Sequence, residues 1–321
     1  MLKNFHFVNQ RKITLIIVGV VFLIGILSFI IRGFNVDIDF SGGFEATVDI
    51  GETTTDAIAE NIRSLISNDS ELGAKYVENI THSETLVKIS SRSELTAEQQ
   101  KHLVTLISTN YPDASKEIDI SNISPVIGTK MIWSALLAVG IAVVLMLVYI
   151  AIRFEIASGV AAVICLVHDL FVMLTVYSLF QIPISLSIIA AFLTILGYSI
   201  NATIVIFDRI RENRRKMERV PFGDVVNTSV HETVGRSINT TVTTLLTIGS
   251  IFIASFIVVI AVPTSNLDGL RNFSGTLIIG ILAGLFSSMF LSDMLWNAIN
   301  GGKVKEKGGS KSKKAKAKAA K

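Results

Sequence analysis

A histidine and an aspartate stand side by side, as His168-Asp169, in the middle of a long apolar stretch. An ionised group at the centre of a membrane helix costs roughly 2.5–3.5 kcal/mol on insertion scales, so it is expected to face protein or a water-filled path. A His/Asp pair in such a place can relay protons. We expect a functional role for this pair in preference to a purely structural one.

Two other apolar stretches each carry a row of polar residues at helical spacing. The row on predicted helix 183–207 and its flank comprises Ser187, Thr194, Tyr198, Asn201 and Asp208. The row that opens predicted helix 237–262 comprises Arg236, Thr240, Thr244, Thr247 and Ser250. Steps of three, four and seven residues place each row on one helical face. The spacing therefore predicts two polar faces that lie against protein or a water-filled path.

Each of these features also has an ordinary explanation. Hydroxyl side chains on membrane helices often bond to their own backbone, Asp208 fits the membrane interface, and Arg236 can extend its charge towards the headgroups. Three classes of function stay open: an ion-coupled transporter or motor, an intramembrane enzyme and an assembly scaffold. The sequence contains no HExxH or GxSxG motif and no evident pair of catalytic aspartates, which argues against the enzyme.

The composition is that of an integral membrane protein. Hydrophobic residues make up 50% of the 321 residues and charged residues 17%, whereas soluble domains carry about 25% charged residues. Six apolar stretches reach the roughly 20 residues that a membrane-crossing helix needs, at 13–31, 131–152, 157–179, 183–207, 237–262 and 272–298. The predicted fold is a polytopic α-helical membrane protein with six transmembrane helices and a bundle at 131–298. The single cysteine, Cys165, is expected to be an ordinary buried residue.

The distribution of charge predicts the orientation in the membrane. Basic residues concentrate in the N-terminus at 1–12, in a predicted cytoplasmic loop at 208–236 and in the tail at 299–321, so both termini are expected in the cytoplasm. Residues 33–130 hold 16 acidic and 7 basic side chains, against 10 and 22 in the remainder of the chain. This acidic block is therefore expected on the extracytoplasmic side.

The outer block at 32–130 is predicted to be a small α+β domain. Val36, Ile38 and Phe40 alternate with polar residues, as in a half-buried strand, and a second strand follows the turn-like SGG at 41–43. Thr96-Ala-Glu-Gln99 resembles a capping box. The predicted order of strand, helix, strand, strand, helix, strand is that of a ferredoxin-like domain.

The tail at 299–321 is lysine-rich and of low complexity, which predicts disorder. It is explained equally well as a solvated topology signal or as a contact with anionic lipid or ribosomal RNA.

Five motifs stand in series along the chain: DFSGG at 39–43, IRFE at 152–155, HD at 168–169, GYSIN…IVIFDRIREN at 197–213 and RSINTTVTTLL at 236–246. Together with one span, one external domain and five further spans, they closely resemble the SecF-type protein-export membrane proteins of the SecD/SecF family, within the resistance-nodulation-division (RND) superfamily. The resemblance covers nearly the whole chain except the tail. It gives structural family positions to Asp39, Phe40, Gly42, Gly43, Gly197, Arg209, Glu212 and Asn213.

The resemblance implies a function and a set of partners. SecF-type proteins work with SecD beside the SecYEG channel of the bacterial cytoplasmic membrane, and use the proton or sodium gradient to drive or complete export of an unfolded preprotein. Membrane lipids and a YajC-type accessory subunit are further expected partners. No bond-breaking chemistry, no required nucleic acid and no cofactor other than the transported H⁺ or Na⁺ are expected.

The resemblance also implies an ion path at the contact with SecD. Its candidates in this chain are Arg236, Asn201, His168 and Asp169, beside the two polar faces. The family usually has an acid directly after the Asn of GYSIN, where this chain has Ala202, which has no group that accepts a proton. We hypothesise that a SecD carboxylate carries the titration with Arg236 as its partner. The alternative functions are an RND-type exporter of small molecules or lipids and a passive scaffold for translocase assembly.

Overall fold

The structure is a computed structural model that describes residues 10–83, 85–112, 114, 118–153, 155–261 and 267–299. The predicted lysine-rich tail, apart from its first residue, and most of the predicted N-terminal segment at 1–12 lie outside the described residues.

Six helices in the described part of the chain are long and apolar enough to cross a membrane. They are α1 (Arg11–Ile31), α5 (Pro125–Arg153), α6 (Ile156–Phe180), α7 (Leu186–Lys216), α8 (Phe222–Ala261) and α9, which begins as Asp268–Phe286. α9 continues through a π-helical turn, Ser287–Leu291, to Ile299. The predicted six-helix membrane architecture is confirmed.

The segment at 208–236, predicted as a cytoplasmic loop, is largely helical. Only residues 217–221 separate α7 from α8, which is 40 residues long. The reason is an apolar row at a spacing of four, formed by Phe222, Val226, Val230 and Val234, all of them buried in the bundle core. Burial of this row extends the helix beyond the membrane-spanning stretch.

α5 also begins earlier than predicted, at Pro125 rather than at 131. Proline is favoured as the first residue of a helix because its missing N–H would have no partner there. The bundle therefore begins six residues earlier in the chain than the predicted residue 131. α5 is the least covered of the long helices, with none of its most apolar stretch buried.

The outer segment between α1 and α5 is a four-stranded antiparallel sheet with two main helices. Its elements are β1 (Gly43–Asp49), α3 (Asp56–Ser67), β2 (Asn79–Ser83), β3 (Leu86–Ser91), α4 (Ala97–Asn110) and β4 (Asp119–Ile123). The strand order is β2-β3-β1-β4, and every neighbouring pair is antiparallel. Alternate residues of β1, namely Phe44, Ala46 and Val48, join the core with Ile62 and Ile66 of α3 and Leu103 and Ile107 of α4.

Local signals in this segment are partly confirmed. Thr96 and Gln99 form the predicted capping box, each side chain accepting from the other residue's backbone N–H. The predicted strand over 36–40 is wrong, since Ile38–Ser41 is a short helix (α2). The Asp37 carboxylate caps that helix at the Ile38 N–H, and Gly42, with φ of +72°, ends it. Val36 makes one isolated parallel bridge with Ile184.

The bundle is built around close contact of α7 with α9. A Cβ on Gly280 would lie 2.5 Å from Ile195 Cγ1, and one on Gly284 would lie 3.2 Å from Ser199 Cβ. Small residues of this kind let membrane helices approach closely. Ile195 and Ser199 are themselves buried, so α7 turns one face inward and leaves the opposite face to its surroundings.

Candidate functional site

The His168-Asp169 pair lies in the interior of the bundle, on α6. The two side chains are 3% and 1% exposed, and His168 Nδ1 lies 3.0 Å from Asp169 Oδ1. The other carboxylate oxygen, Oδ2, accepts hydrogen bonds from Ser199 on α7 and from Ser287 at the start of the π-helical turn, the latter at 2.8 Å. Both oxygens of Asp169 are thus satisfied by this chain alone.

The surroundings of the pair are otherwise apolar. The His168 ring stacks near Phe22 of α1 and lies 5.9 Å from the ring of Phe286. π-helical turns occur often at functional sites, and this one brings Ser287 to the carboxylate. Sequence reasoning singled out neither Ser199 nor Ser287, because a serine on a membrane helix carries no signal of its long-range partner.

A second buried acid, Asp293 of α9, was also missed by the sequence analysis. It is 1% exposed and its Oδ1 lies 3.5 Å from Ser292 Oγ. Its Oδ2 and the Trp296 Nε1 have no hydrogen-bond partner among the described residues. The signal was available, since an acid inside the last apolar stretch needs a partner or a proton.

The predicted polar faces of α7 and α8 lie on the outside of the bundle. Thr194, Gly197 and Asn201 are exposed on α7, and Arg236 and Thr240 are exposed on α8. A Cβ on Gly197 would meet no described atom within 4 Å. These residues are therefore open to whatever surrounds the chain, which in a bilayer is lipid or another protein.

Hydrogen bonding divides this surface, which we call the open polar face, into satisfied and unsatisfied groups. The hydroxyls of Thr194 and Thr244 donate to the carbonyls of Ala190 and Thr240, each at 2.8 Å, as the ordinary explanation of the threonine row required. By contrast, the side chains of Asn201 and Arg236 have neither a hydrogen bond nor an ion pair within the described ranges. An amide and a guanidinium in this condition need an external partner.

Three contacts fix the antiparallel register of α7 and α8. Tyr198 Oη donates to Thr241 Oγ1 at 3.4 Å, Arg209 contacts Glu232, and Asn213 contacts Ser229. Asn201 and Ala202 on α7, and Arg236 on α8, fall between the first two contacts. The structure therefore brings Asn201, Ala202 and Arg236 to one stretch of the open polar face, and places His168-Asp169 on the opposite, inner side of α7.

The C-terminal end of α7 and the N-terminal end of α8 form a separate polar network. Arg209 Nε and Nη1 lie 2.6 Å from Glu232 Oε2 and Glu212 Oε2, and Asn213 Nδ2 donates to the same Glu232 oxygen at 2.6 Å. Asp208 pairs with Arg153 of α5 at 3.6 Å. Arg209 and Asn213 thus link α7 to α8, Glu212 pairs with Arg209 within α7, and Asp208 faces α5.

The DFSGG stretch is a junction between the outer segment and the bundle. Asp39 Oδ2 accepts from the Leu186 N–H, 3.0 Å away at the start of α7, and Phe40 is buried. Gly42 and Gly43 have φ of +72° and +118°, and a Cβ on Gly42 would lie 2.6 Å from Pro125 Cα. A Cβ on Gly43 would collide with the Ser91 carbonyl of β3. Only glycine fits at these two positions.

Within the described residues, no group of three or more His, Cys, Asp or Glu side chains is arranged to hold a metal ion. Cys165 is a free, buried thiol.

A family profile described as "Protein export membrane protein SecD/SecF, C-terminal" matches residues 103–301. This chain belongs to the SecD/SecF family. The protein translocase subunit SecF of Rhodothermus marinus is 34% identical over 297 residues, which are 90% of this chain and 91% of that protein. The SecF subunit of Alicyclobacillus acidocaldarius is 31% identical over 304 residues, 93% of this chain and 94% of its own length. The family resemblance predicted from the five motifs is confirmed.

Fused relatives contain the same unit as part of a longer chain. The SecDF subunit of Bacillus subtilis is 30% identical over 317 residues, and this chain spans 39% of its length. The crystal structure of SecDF from Thermus thermophilus, described as a translocon-associated membrane protein, superposes with a TM-score of 0.76 at 29% identity. That match covers 92% of this chain and 39% of the SecDF chain. In both of these relatives the matched unit is about two-fifths of one polypeptide.

Proposed function

We propose that this chain is a SecF-type auxiliary subunit of the Sec preprotein translocase, a multi-pass protein of the bacterial cytoplasmic membrane that associates with a SecD-type partner. The observation that carries the proposal is the open polar face, where Asn201 and Arg236 are exposed and unpaired on two membrane helices. Fusion of the same unit into SecDF relatives supports a partner of that family.

The proposed arrangement puts both termini in the cytoplasm and the sheet-containing segment on the extracytoplasmic side. Its support is the concentration of Lys and Arg at the opposite ends of the helices. We assign that segment to the ferredoxin-like class, on the chain order β1, α3, β2, β3, α4, β4 and the strand order β2-β3-β1-β4.

The proposed energy source is the proton gradient or, as the alternative, the sodium gradient. Arg236 keeps its charge under all ordinary conditions and favours the ionised form of a carboxylate that approaches it. Because Ala202 has no ionisable group, that carboxylate is supplied by the SecD-type partner. Its protonation releases Arg236 and biases the complex between two arrangements of the outer domains.

The proposed cargo is an unfolded preprotein leaving a SecYEG channel, with a YajC-type subunit and membrane lipids as further contacts. No step in this scheme needs a cofactor, a nucleic acid or the breaking of a covalent bond. His168-Asp169 has a smaller place in it than the sequence suggested, because its hydrogen bonds are satisfied within the chain.

An RND-type exporter of small molecules or lipids is the second candidate, and a passive assembly scaffold is the third. The alignment of this chain with SecF subunits over nearly their whole length favours the first proposal. Purification from native membranes separates them: a SecD-type protein together with SecYEG supports the translocase subunit, whereas a self-associated trimer contradicts it.

The decisive experiment measures preprotein translocation into vesicles with an imposed proton or sodium gradient and after its collapse. We expect Arg236→Ala to abolish the gradient-dependent part while complex assembly persists. Arg219→Ala, which removes an exposed arginine in the 217–221 turn, is the matched control and keeps wild-type rates. Wild-type rates in Arg236→Ala contradict the proposed role. Loss in His168→Ala alone moves the relay to α6, and export indifferent to uncouplers favours the scaffold.

A further inference from the structure

A charged cluster joins the outer sheet to the start of the last membrane helix. Lys88 Nζ on β3 lies 2.9 Å from Glu45 Oε2 on β1 and 3.6 Å from Asp268 Oδ2 in the first turn of α9. Asp268 also pairs with Arg271 one turn further along α9. Lys88 is the group that belongs to both pairs, one inside the sheet and one between the sheet and the bundle.

Lys88 and Glu45 are partly shielded from water, whereas Asp268 is the most exposed member of the cluster's lysine pairs, at 46%. The side chains of Lys88 and Glu45 are 29% and 18% exposed, so water screens them only in part. Burial raises the pKa of Glu45. Burial also disfavours the charge on Lys88, but Glu45, Asp268 and Asp37 outweigh it, and the pKa of Lys88 is raised. The lysine therefore stays protonated and paired at physiological pH.

α9, which carries Asp268, packs against α7 and α6 in the interior of the bundle. From Asp268, α9 runs past Ile195 at Gly280 and past Ser199 at Gly284, and reaches Asp169 through Ser287. Close-packed helices move as units and not by continuous deformation. A shift of α7 that follows a change at its open polar face therefore displaces α9, and with it Asp268.

We propose that Lys88 is a positioning residue, which holds the outer domain on α9 through Asp268 and so transmits movements of α7 and α9 to that domain. The contact of Asp39 with the Leu186 N–H supplies a second attachment, on α7 itself. The transmission of movement rests on the proposed function, whereas the attachment to α9 does not depend on it.

The attachment is tested by distance measurements between two spin labels on the full-length chain. One label replaces Ser64, exposed on α3 of the outer domain, and the other replaces Phe180, exposed at the end of α6. Cys165 is buried and stays unlabelled. We expect one narrow distance distribution in the wild type and a distribution at least twofold broader in Lys88→Met and in Asp268→Asn.

Two variants separate attachment from stability of the sheet. Glu45→Gln removes only the pair within the sheet, and Lys88→Arg keeps the positive charge, so both are expected to retain the narrow distribution. An unchanged distribution in Lys88→Met or in Asp268→Asn contradicts the proposal, as does equal broadening in Glu45→Gln. Broadening accompanied by loss of hydrogen-exchange protection in α3 and α4 also contradicts it, because the domain has then unfolded.

The transmission is tested in vesicles that contain the partner subunits. We expect Lys88→Met to lower gradient-dependent translocation at least threefold and Lys88→Arg to restore it. Wild-type translocation in Lys88→Met overturns the transmitting role. If the wild-type chain itself shows no gradient-dependent translocation, the proposed function fails, and the distance measurements still decide the attachment to α9.

Discussion

The polar side chains on the inner and outer faces of α7 differ in how they are paired. On the inner face, Ser199 donates to Asp169, which also receives Ser287 and His168, so a buried carboxylate is fully paired within one chain. On the outer face, Asn201 is exposed and its side chain is unpaired in the part of the chain that the structure describes. Polar groups in a membrane are expected to be satisfied, so the inner face needs no group from outside the chain, whereas the outer face fits the partner contact proposed above.

The glycines on the two faces follow the same division. Gly280 and Gly284 of α9 are packed against the inner face of α7, where an added Cβ would meet Ile195 or Ser199. Gly197 and Gly235 lie on the open side, where an added Cβ would meet no described atom within 4 Å. The first pair is explained by packing within the chain. The proposed contact with a SecD-type partner would explain the second pair, because small residues let membrane helices approach closely.

The largest effect on stability is expected from Asp169→Ala. Donors left unpaired in a protein interior cost about 1–3 kcal/mol each, while hydrogen bonds between membrane helices average about 0.6 kcal/mol. For three donors we expect a loss on the order of 2–4 kcal/mol in the free energy of unfolding. Unfolding of the purified chain in mixed micelles measures it.

Arg236→Gln is the control for that prediction, because it alters the outer face. We expect it to leave the free energy of unfolding of the isolated chain unchanged. A loss equal to that of Asp169→Ala would show that Arg236 is paired inside the chain, and the contrast between the two faces would be wrong.

A smaller effect is expected from a pair of glycine replacements. Gly280→Ala introduces a Cβ 2.5 Å from Ile195 Cγ1, and such overpacking typically costs about 1–3 kcal/mol. Gly197→Ala adds the same atom without a clash, and is expected to be neutral or to stabilise the isolated chain by up to about 1 kcal/mol.

We expect the opposite ranking of these two variants when the measured quantity is binding of the SecD-type partner. Gly197→Ala is expected to weaken co-purification of the SecD-type protein, whereas Gly280→Ala at a permissive temperature keeps it. Full partner recovery with Gly197→Ala would argue against helix contact at this position.

The smallest effect on stability is expected at the pair of His102 and Asp69, which lies in the outer segment and not on α7. His102 Nε2 lies 3.0 Å from the Asp69 carboxylate, and this hydrogen bond raises the pKa of His102. A raised histidine pKa gives stability that is present below the ordinary value of about 6.5 and is lost as pH rises through the folded value. The outer segment should therefore unfold slightly more easily at pH 8 than at pH 6, as followed by limited proteolysis.

His102→Gln should remove this pH dependence and leave the bundle unaffected. A pH dependence that survives the substitution would assign it to another group.

The sequence predicted the elements whose signals are local. All six apolar stretches were found, and the ends of the first and third lie within two residues of the observed helices. The capping box at Thr96 was found because its two partners are three residues apart. The strand over 36–40 was wrong because Asp37 and Gly42 together favour a short capped helix. The length of α8 was missed because polar residues stand between the members of its apolar row.

The candidate site was predicted only in part, for the same reason. Helical spacing placed Asn201 and Arg236 in two polar rows without knowledge of the fold, and the structure shows both residues exposed. The partners of Asp169 could not be predicted, since Ser199 and Ser287 are 30 and 118 residues away in the chain. The separation of His168-Asp169 from the open polar face depends on how α6, α7 and α9 pack, which spacing along one helix does not contain.

The central claim, that the open polar face is covered by a SecD-type subunit, is tested most directly by site-specific photocrosslinking in native membranes. A photoreactive amino acid at Thr240 probes that face, and one at Leu137, exposed on α5, is the matched lipid-facing control. We expect Thr240 to crosslink to a SecD-type protein and Leu137 to crosslink to lipid alone. Absence of a protein adduct at Thr240, or an equal yield of the same adduct from Leu137, would contradict the account.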